Sequence, residues 1–143
     1  MLRETRTTRL VKSQDLNHHG TLFAGRMAEW FTESCFLAAA RLVGKPEDIV
    51  CLKIHGLTFA KPAHPGDSVE IVARPARAGA KSLTVGAEVF VNDDTEPTIR
   101  GFATFVTVDS AGKSYPHGIV LPPDWVEANR ELCDLAEREA SGR

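Results

Sequence analysis

A polar turn that contains glycine runs directly into a long apolar segment between residues 15 and 43. The first main-chain N–H groups of a helix have no helical acceptor and carry the positive end of the helix dipole. If the segment is a helix, the small residues Ala24 and Gly25 leave those groups open to an anion. The junction could therefore stabilise an oxyanion, or Gly25 could serve only to let a strand pack closely against the helix.

The apolar segment, residues 22–43, contains no Pro and carries apolar side chains on almost every face, which predicts a helix enclosed by protein. Five polar residues interrupt this pattern. Enclosing such groups is costly unless each of them meets a partner, another subunit or water. Chemistry is therefore expected at these positions, which are Arg26, Glu29, Thr32, Glu33 and Ser34.

The loop before the helix offers further polar side chains. Asp15 could act as an acid or fix a turn, and Asn17 could contact a substrate or bond only to local backbone. His18 and His19 are adjacent and point in different directions, and no Cys or third His has a spacing suited to a metal site. We therefore predict no metal and regard the two histidines as solvated.

Turn formers and β-branched runs predict the elements around the helix. Gly44 and Pro46 end the helix near residue 43. Residues 3–11 are polar on both faces, which indicates an edge strand. Further strands are predicted at residues 49–59, 69–77, 82–91 and 98–108, the first of them mostly buried, and their short connections imply antiparallel hairpins.

A second helix is predicted near the C-terminus, where Asp124 followed by Glu127 matches a capping box. The resulting fold class is α+β, with a single antiparallel sheet of about five strands wrapped around the long central helix and a C-terminal surface helix. We predict one domain over residues 1–121, with residues 122–143 as a helical extension of it. The part of the central helix that so small a sheet leaves uncovered suggests a dimer.

Bulk composition excludes several classes of protein. With 143 residues and a formal net charge of -2, the chain offers no basic surface for nucleic acid. No apolar run reaches the length of a membrane span and the start does not look like a signal peptide, so we expect no membrane partner and a cytoplasmic location. The widely spaced Cys35, Cys51 and Cys133 suit reduced, buried thiols.

Three short motifs occur in order along the chain. They comprise Asp15, Asn17, Gly20, Phe23 and Gly25, then Phe59, Lys61, Pro62, Gly66, Asp67 and Val69, and finally Gly79, Lys81 and Ser82. In their order and spacing they resemble the hotdog-fold acyl-CoA thioesterases of the acyl-CoA hydrolase branch, over roughly residues 5–110. The resemblance implies a homodimer with two sites at its interface, often assembled into a tetramer or hexamer, that hydrolyses an acyl-CoA substrate to free acid and coenzyme A without a cofactor.

The resemblance also implies catalytic roles. Asn17 matches the family's Asn that polarises the thioester carbonyl or holds the attacking water. Seven residues after Gly25, where the family usually has Asp, this chain has Thr32, which cannot act as a base at neutral pH. Either Glu33, which matches the second acid of the family's Asp-Glu pair, takes the proton, or the catalytic mode differs.

For the substrate, the resemblance points to two glycine-flanked turns whose cations could take the phosphates of coenzyme A. The acyl chain would lie along the helix, against aromatic side chains that any core would also use. The substrate-binding residues implied in this way are Gly20, Phe23, Thr58, Lys61, Lys81 and Ser82.

Other interpretations of the same residues remain open. Glu33 could pair with Arg26 or Arg41 of a partner subunit instead of acting as a base. His19 and Glu33 are separated like the His and acid of hotdog dehydratases that act on acyl-carrier-protein substrates. Thr32, in place of the usual acid, favours a non-catalytic acyl-CoA binding or sensor protein.

Overall fold

The computed structural model describes residues 2–141. Its elements within that range are β1 (Thr5–Leu10), α1 (Ala24–Val43), β2 (Ile49–His55), β3 (Ser68–Ala78), β4 (Ser82–Val91), β5 (Ile99–Thr107), α2 (Pro123–Ala128) and α3 (Arg130–Ser141). The strands form one antiparallel sheet in the order β1-β3-β4-β5-β2. Residue 1 and residues 142–143, at the outer ends of the predicted segments 1–121 and 122–143, lie outside the described residues.

The long helix α1 packs on one face of the sheet, as predicted. Its buried side includes Trp30, Phe31 and Cys35. Successive strand residues point to opposite faces, so α1 meets every second residue of the central strands β3 and β4. These strand residues are Val69, Ile71, Ala73, Val85, Ala87 and Val89.

The prediction that α1 is enclosed on every side is wrong for the single chain. An exposed stripe follows the helix at a spacing of four residues, because residues four apart lie on the same side of a helix. The five-stranded sheet covers the opposite side and leaves this stripe free. The exposed residues are Gly25, Glu29, Glu33, Leu37 and Arg41.

The two ends of α1 differ in their main-chain conformation and hydrogen bonds. The C-terminal end is closed by Gly44, whose φ of 79° is left-handed and whose N–H donates to Ala40 O at 2.8 Å. The helix begins at Ala24, two residues later than predicted. Leu22 and Phe23 remain extended because their N–H groups donate to other loops, namely to Ala63 O and Asp15 O.

The two outermost strands are β1 and β2. β1 is the polar edge strand that the sequence predicts. The prediction of a mostly buried strand after α1 is wrong: β2 is also an edge strand, it ends at His55, and it exposes 48% of Val50, 61% of Leu52 and 40% of Ile54. An apolar strand that lacks a neighbour on one side is a pairing surface, which an alternation pattern alone does not reveal.

The opposite face of the sheet carries α2 and α3 over a small second core, in which Ala136 contacts Ala76 and Phe102. The predicted single helix is two helices that meet at Asn129. The N-cap is Pro122 rather than Asp124, which lies inside the first turn. Pro123 at the first helical position has a fixed φ that suits a helix start, so the helix begins earlier than a capping box on Asp124 requires.

Candidate functional site

The loop before α1 is organised by Asn17. Its Oδ1 accepts hydrogen bonds from the N–H groups of His19 at 2.9 Å and Thr21 at 3.2 Å, and its Nδ2 donates to Thr21 Oγ1 at 3.1 Å. Gly20, with a φ of 78°, closes the turn by donating its N–H to Asn17 O. Asn17 therefore bonds to local backbone in the single chain, and it also lines a cavity of about 230 Å³ beside Lys61.

The N-terminus of α1 has no side-chain cap. The N-cap residue is Phe23, whose side chain has no hydrogen-bonding atom. Its carbonyl oxygen accepts from the N–H groups of Arg26 and Met27. The N–H groups of Ala24 and Gly25 have no acceptor within residues 2–141. Two main-chain donors at the positive end of the helix dipole are therefore available to a ligand.

Gly25 also leaves room for the side chain of Phe23. A Cβ atom at Gly25 would lie 2.5 Å from a ring carbon of Phe23. The Phe23 side chain is 55% exposed and rests over the first turn of α1. The structure thus brings together Gly25 and Phe23, which the sequence assigned to separate catalytic and binding roles.

Asp15 anchors this junction and is 5% exposed. Its Oδ2 accepts from the N–H of Lys12 at 2.9 Å, and its Oδ1 lies 3.3 Å from Nε of Arg26 in the first turn of α1. With both carboxylate oxygens engaged inside the chain, Asp15 fixes the turn, the second of the two roles that the sequence left open.

Thr32 and Glu33 lie two turns further along α1. The Thr32 hydroxyl donates to Ala28 O at 2.8 Å, which leaves its lone pairs free to accept from water. Glu33 has a side chain 48% exposed and forms an ion pair with Arg9 of β1, whose guanidinium lies 5.7 Å from the centre of the Trp30 ring. In the single chain, therefore, Glu33 is not enclosed.

The cation that pairs with Glu33 was missed by sequence reasoning. Arg26 is engaged with Asp15 and Glu29, and Arg41 donates to Thr5 Oγ1 at 3.0 Å. Arg9 and Glu33 are 24 residues apart in sequence, and only the packing of β1 beside α1 brings them together. No local pattern could have identified this pair.

A cavity of about 520 Å³ runs along the exposed side of α1; we call it the α1 cavity. Its lining is mainly apolar and includes the helix start as well as Thr32 and Glu33. It also includes the exposed thiol of Cys51, which the sequence predicted to be buried. The lining residues are Gly25, Ala28, Glu29, Thr32, Glu33, Phe36, Cys51 and Phe105.

The thiols near this cavity are unsuited to nucleophilic chemistry. Cys35, Cys51 and Cys133 are free thiols, and Cys35 and Cys133 are buried as predicted. Desolvation by burial raises the pKa of Cys35, and partial desolvation in the cavity lining raises that of Cys51, although the residue as a whole is exposed. Because the thiolate is the nucleophilic form, a raised pKa keeps both sulfur atoms protonated near neutral pH.

The structure does not bring Gly25 and Thr32 to one point. They are seven residues apart on one helix, and with a rise of about 1.5 Å per residue they are separated by roughly 10 Å along its axis. A single carbonyl group cannot contact both residues of the same chain.

The predicted coenzyme A residues also separate into two groups. Lys61 Nζ lies 2.6 Å from Asp94 Oδ2, just beyond the end of β4, whereas Lys81 and Ser82 are at its beginning. A strand of ten residues spans on the order of 30 Å. Thr58 lies on the loop that follows β2, close in sequence to Lys61.

The loop histidines do not form a metal site. The rings of His18 and His19 are 4.0 Å apart and both residues are exposed. Among residues 2–141, no group of His, Cys, Asp and Glu side chains is arranged to hold a metal ion. Over the same residues, no helix combines the length and the hydrophobicity needed to cross a bilayer.

Comparison with known sequences gives a match over residues 19–98 to the thioesterase superfamily. An uncharacterized acyl-CoA thioester hydrolase of Bacillus subtilis is 30% identical over an alignment of 112 residues that covers 76% of this chain. The aligned region covers 64% of that protein, so the chain spans less than two thirds of the length of this relative.

Two solved structures are similar over nearly the whole chain. An acyl-CoA hydrolase from Staphylococcus aureus, determined in complex with butyryl coenzyme A, coenzyme A and coenzyme A disulfide, is 27% identical with a TM-score of 0.83 and covers 98% of this chain and 83% of its own. A hexameric acyl-CoA thioesterase in its apo form is 29% identical with a TM-score of 0.85, covering 97% and 89% respectively.

Proposed function

Since this chain belongs to the thioesterase superfamily, we propose that it hydrolyses acyl-CoA thioesters to a free acid and coenzyme A. The observation that carries the proposal is the uncapped start of α1, where the N–H groups of Ala24 and Gly25 are free and Gly25 lines the mainly apolar α1 cavity. Such a site can hold the carbonyl oxygen of a thioester while its acyl chain lies on apolar side chains.

The reaction needs no group beyond those of the chain and a water molecule. The carbonyl oxygen accepts hydrogen bonds from the two N–H groups, which become stronger as negative charge develops on it in the transition state. Water attacks the carbonyl carbon, the new C–O bond forms, and the C–S bond breaks with the electron pair going to the coenzyme A sulfur. The proton taken from the water is returned to that thiolate.

We assign the proton transfer to Glu33, with Thr32 orienting the water. In the S. aureus hydrolase, variants have been made at an Asn and an Asp that are fifteen residues apart, the separation of Asn17 and Thr32 in this chain. This match supports placing Thr32 at the position of the relative's Asp. Thr32 can accept a hydrogen bond from the water, and the neighbouring Glu33 supplies the missing carboxylate.

We further propose that the working unit is a homodimer, assembled into a tetramer or hexamer. Gly25 and Thr32 are too far apart to act on one carbonyl, so a complete site takes the helix start from one chain and Glu33 from another. The exposed apolar edge of β2, at Val50 and Leu52, is a surface on which a second chain could pair. The hexameric state of a solved relative is consistent with this assembly.

The test is an assay for free thiol with a panel of acyl-CoAs, beside a sedimentation measurement. We expect thiol release by an oligomer. Glu33→Gln should lower turnover at least tenfold, because a positioned base contributes about 100-fold or more. Full activity of Glu33→Gln would contradict the assignment of the base, and an active monomer would contradict the shared site.

A second candidate is a protein that binds acyl-CoA without hydrolysing it. It is favoured by Thr32, whose hydroxyl is bonded to Ala28 O, and by Glu33, which is held by Arg9. Acyl-CoA binding in a calorimeter with no thiol release would identify this function. A dehydratase using His19 is less well supported, since the ring of His19 lies against His18.

We also propose that the chain acts in the cytoplasm as one domain, with residues 122–143 as an extension of residues 1–121. The free thiols of Cys35, Cys51 and Cys133 suit a reducing compartment, and α3 shares a core with the sheet. Cell fractionation tests the location, and a single cooperative unfolding transition is expected for one domain.

A further inference from the structure

We propose that Phe36 sets the upper limit of the acyl chain, and that the preferred substrates carry an uncharged acyl group of up to about twelve carbons. This inference rests on the proposed function, because it places the thioester carbonyl at the start of α1 and the acyl chain in the α1 cavity.

The α1 cavity has a direction. Gly25, Ala28, Thr32 and Phe36 follow one side of the helix from its first turn to its middle, with the spacing of three or four residues that keeps side chains in line. Apart from Thr32, these residues offer the acyl chain a wall without polar atoms. A chain that starts at the Gly25 N–H is therefore led along the helix toward Phe36.

A pair of aromatic rings lies at the far end, where Phe36 is the last residue of α1 in the cavity lining. The rings of Phe36 and Phe105 are 6.2 Å apart between centroids and inclined by 66°, an edge-to-face arrangement that aromatic rings prefer. Phe105 of β5 is 1% exposed and is part of the main core, against which Phe36 also packs. Because Phe36 packs against the core in this way, it cannot move aside without disturbing the core.

The length of the cavity gives the size of the substrate. Phe36 is eleven residues beyond Gly25, which is roughly 16 Å along the helix. An extended hydrocarbon chain with C–C bonds near 1.5 Å advances about 1.3 Å per carbon. About twelve carbons therefore reach from the helix start to the Phe36 ring.

The charged side chains at the rim of the α1 cavity bear on which class of acyl group can bind. Glu29 and Glu33 both line the α1 cavity, with side chains 59% and 48% exposed. Both are paired with arginines, Arg26 and Arg9, and among the residues that the structure describes no Lys or Arg lines the cavity. A carboxylate at the end of an acyl group would therefore lie against apolar side chains without a cation, which disfavours binding. Uncharged acyl groups are therefore preferred over dicarboxylic ones of the same length.

The variant Phe36→Ala tests the limit. The next residue on the same side of α1 is Ala40, which is small, so removal of the ring lengthens the path by about one helical turn, or roughly 5 Å. That length accommodates about four further carbons. Each buried methylene favours binding by about fourfold, so we expect kcat/KM for a sixteen-carbon acyl-CoA to rise about tenfold or more while the value for butyryl-CoA changes little.

The matched control is Leu37→Ala. Leu37 is the next residue, is 41% exposed and lies outside the cavity lining, so its truncation should leave the chain-length profile as in the wild type. The larger ring of Phe36→Trp should shorten the preferred chain. If circular dichroism shows that Phe36→Ala does not fold, Phe36→Leu and Phe36→Trp decide the question instead.

The inference is overturned if every folded Phe36 variant keeps the wild-type profile, or if these variants change only the oligomeric state, since Phe36 would then serve the contact between subunits and not the substrate. A wild-type protein that releases no thiol at any chain length contradicts the proposed hydrolysis but leaves the chain limit testable. In that case, calorimetric affinities for the same panel, with and without Phe36, decide whether the ring sets the limit.

Discussion

The two faces of the sheet differ in what their helices bury and what they leave exposed. On one face α1 buries a large apolar side, yet it leaves two amides without acceptors within residues 2–141 and exposes the wall of a cavity. On the other face α3 covers a core of few residues and is held by ion pairs such as Arg77 with Glu137 and Arg100 with Glu131. The two free amides thus lie at the exposed start of the helix that packs on the larger core.

Gly25 and Gly86 illustrate this difference between the two faces of the sheet. At Gly25 an added Cβ would meet the exposed ring of Phe23, which can turn away. At Gly86 it would lie 2.6 Å from Leu132 and 3.0 Å from the buried ring of Phe102. The first substitution therefore disturbs a site that binds a ligand, whereas the second disturbs packing between α3 and the sheet.

The largest effect is expected for Gly25→Ala. The new methyl group and the displaced Phe23 ring would block access to the free amides, and the loss of one oxyanion donor costs about 100-fold in turnover. Stability should change by less than about 1 kcal/mol, since alanine favours a helix over glycine. Steady-state kinetics and thermal unfolding measure the two quantities. Unchanged turnover would remove the helix start from the mechanism.

Gly86→Ala should lower the stability of the protein and leave its turnover nearly unchanged. Overpacking against Leu132 and Phe102 costs about 1 to 3 kcal/mol, and turnover of the folded protein should stay within about twofold of the wild type because this face carries no part of the proposed site. The free energy of unfolding in urea tests the first expectation. A loss of turnover at unchanged stability would show that the two faces are coupled.

Thr32→Asp tests whether the site lacks an acid. It restores the carboxylate that the family has at this position, and turnover should rise about tenfold, at the lower end of what a positioned base contributes. Thr32→Asn, which has the same shape without the charge, is the control and should not show the rise. Equal turnover of the two variants would indicate that Glu33 already supplies the base fully.

The smallest effect is expected for Trp125→Phe on the α3 side. Trp125 Nε1 donates to Pro75 O at 2.9 Å, and a lost hydrogen bond of this kind costs about 1 kcal/mol. The melting temperature should fall by a few degrees, with unchanged kinetics. Val120→Ala, at a side chain that is 84% exposed, is the neutral comparison. An equal melting temperature for both variants would mean that α2 is not anchored by this bond.

Several features followed from residues near one another in sequence. The bounds of β4 agree with the prediction, the end of α1 at Val43 follows from Gly44, and the polar residues of β1 marked it as an edge strand. The hotdog fold and the relation to acyl-CoA hydrolases, expected from the spacing of three motifs, are confirmed by the matched family and the solved structures.

Other features were out of reach of local patterns. β2 was predicted to be buried because it is apolar, but burial depends on whether another strand lies beside it. Lys61 and Lys81 were grouped by their glycine turns, although β4 holds them at opposite ends of the sheet. Phe36 and Phe105, whose rings meet at the far end of the α1 cavity, are 69 residues apart in sequence.

By itself, the sequence determined most of the elements and the end of α1, because turns, caps and periodicity depend on residues within a few positions of each other. The tertiary structure alone decided which side of α1 remains exposed, that Glu33 meets Arg9, and where the cavity ends at Phe36. These are contacts between residues far apart along the chain, and their geometry exists only after the sheet has been assembled around the helix.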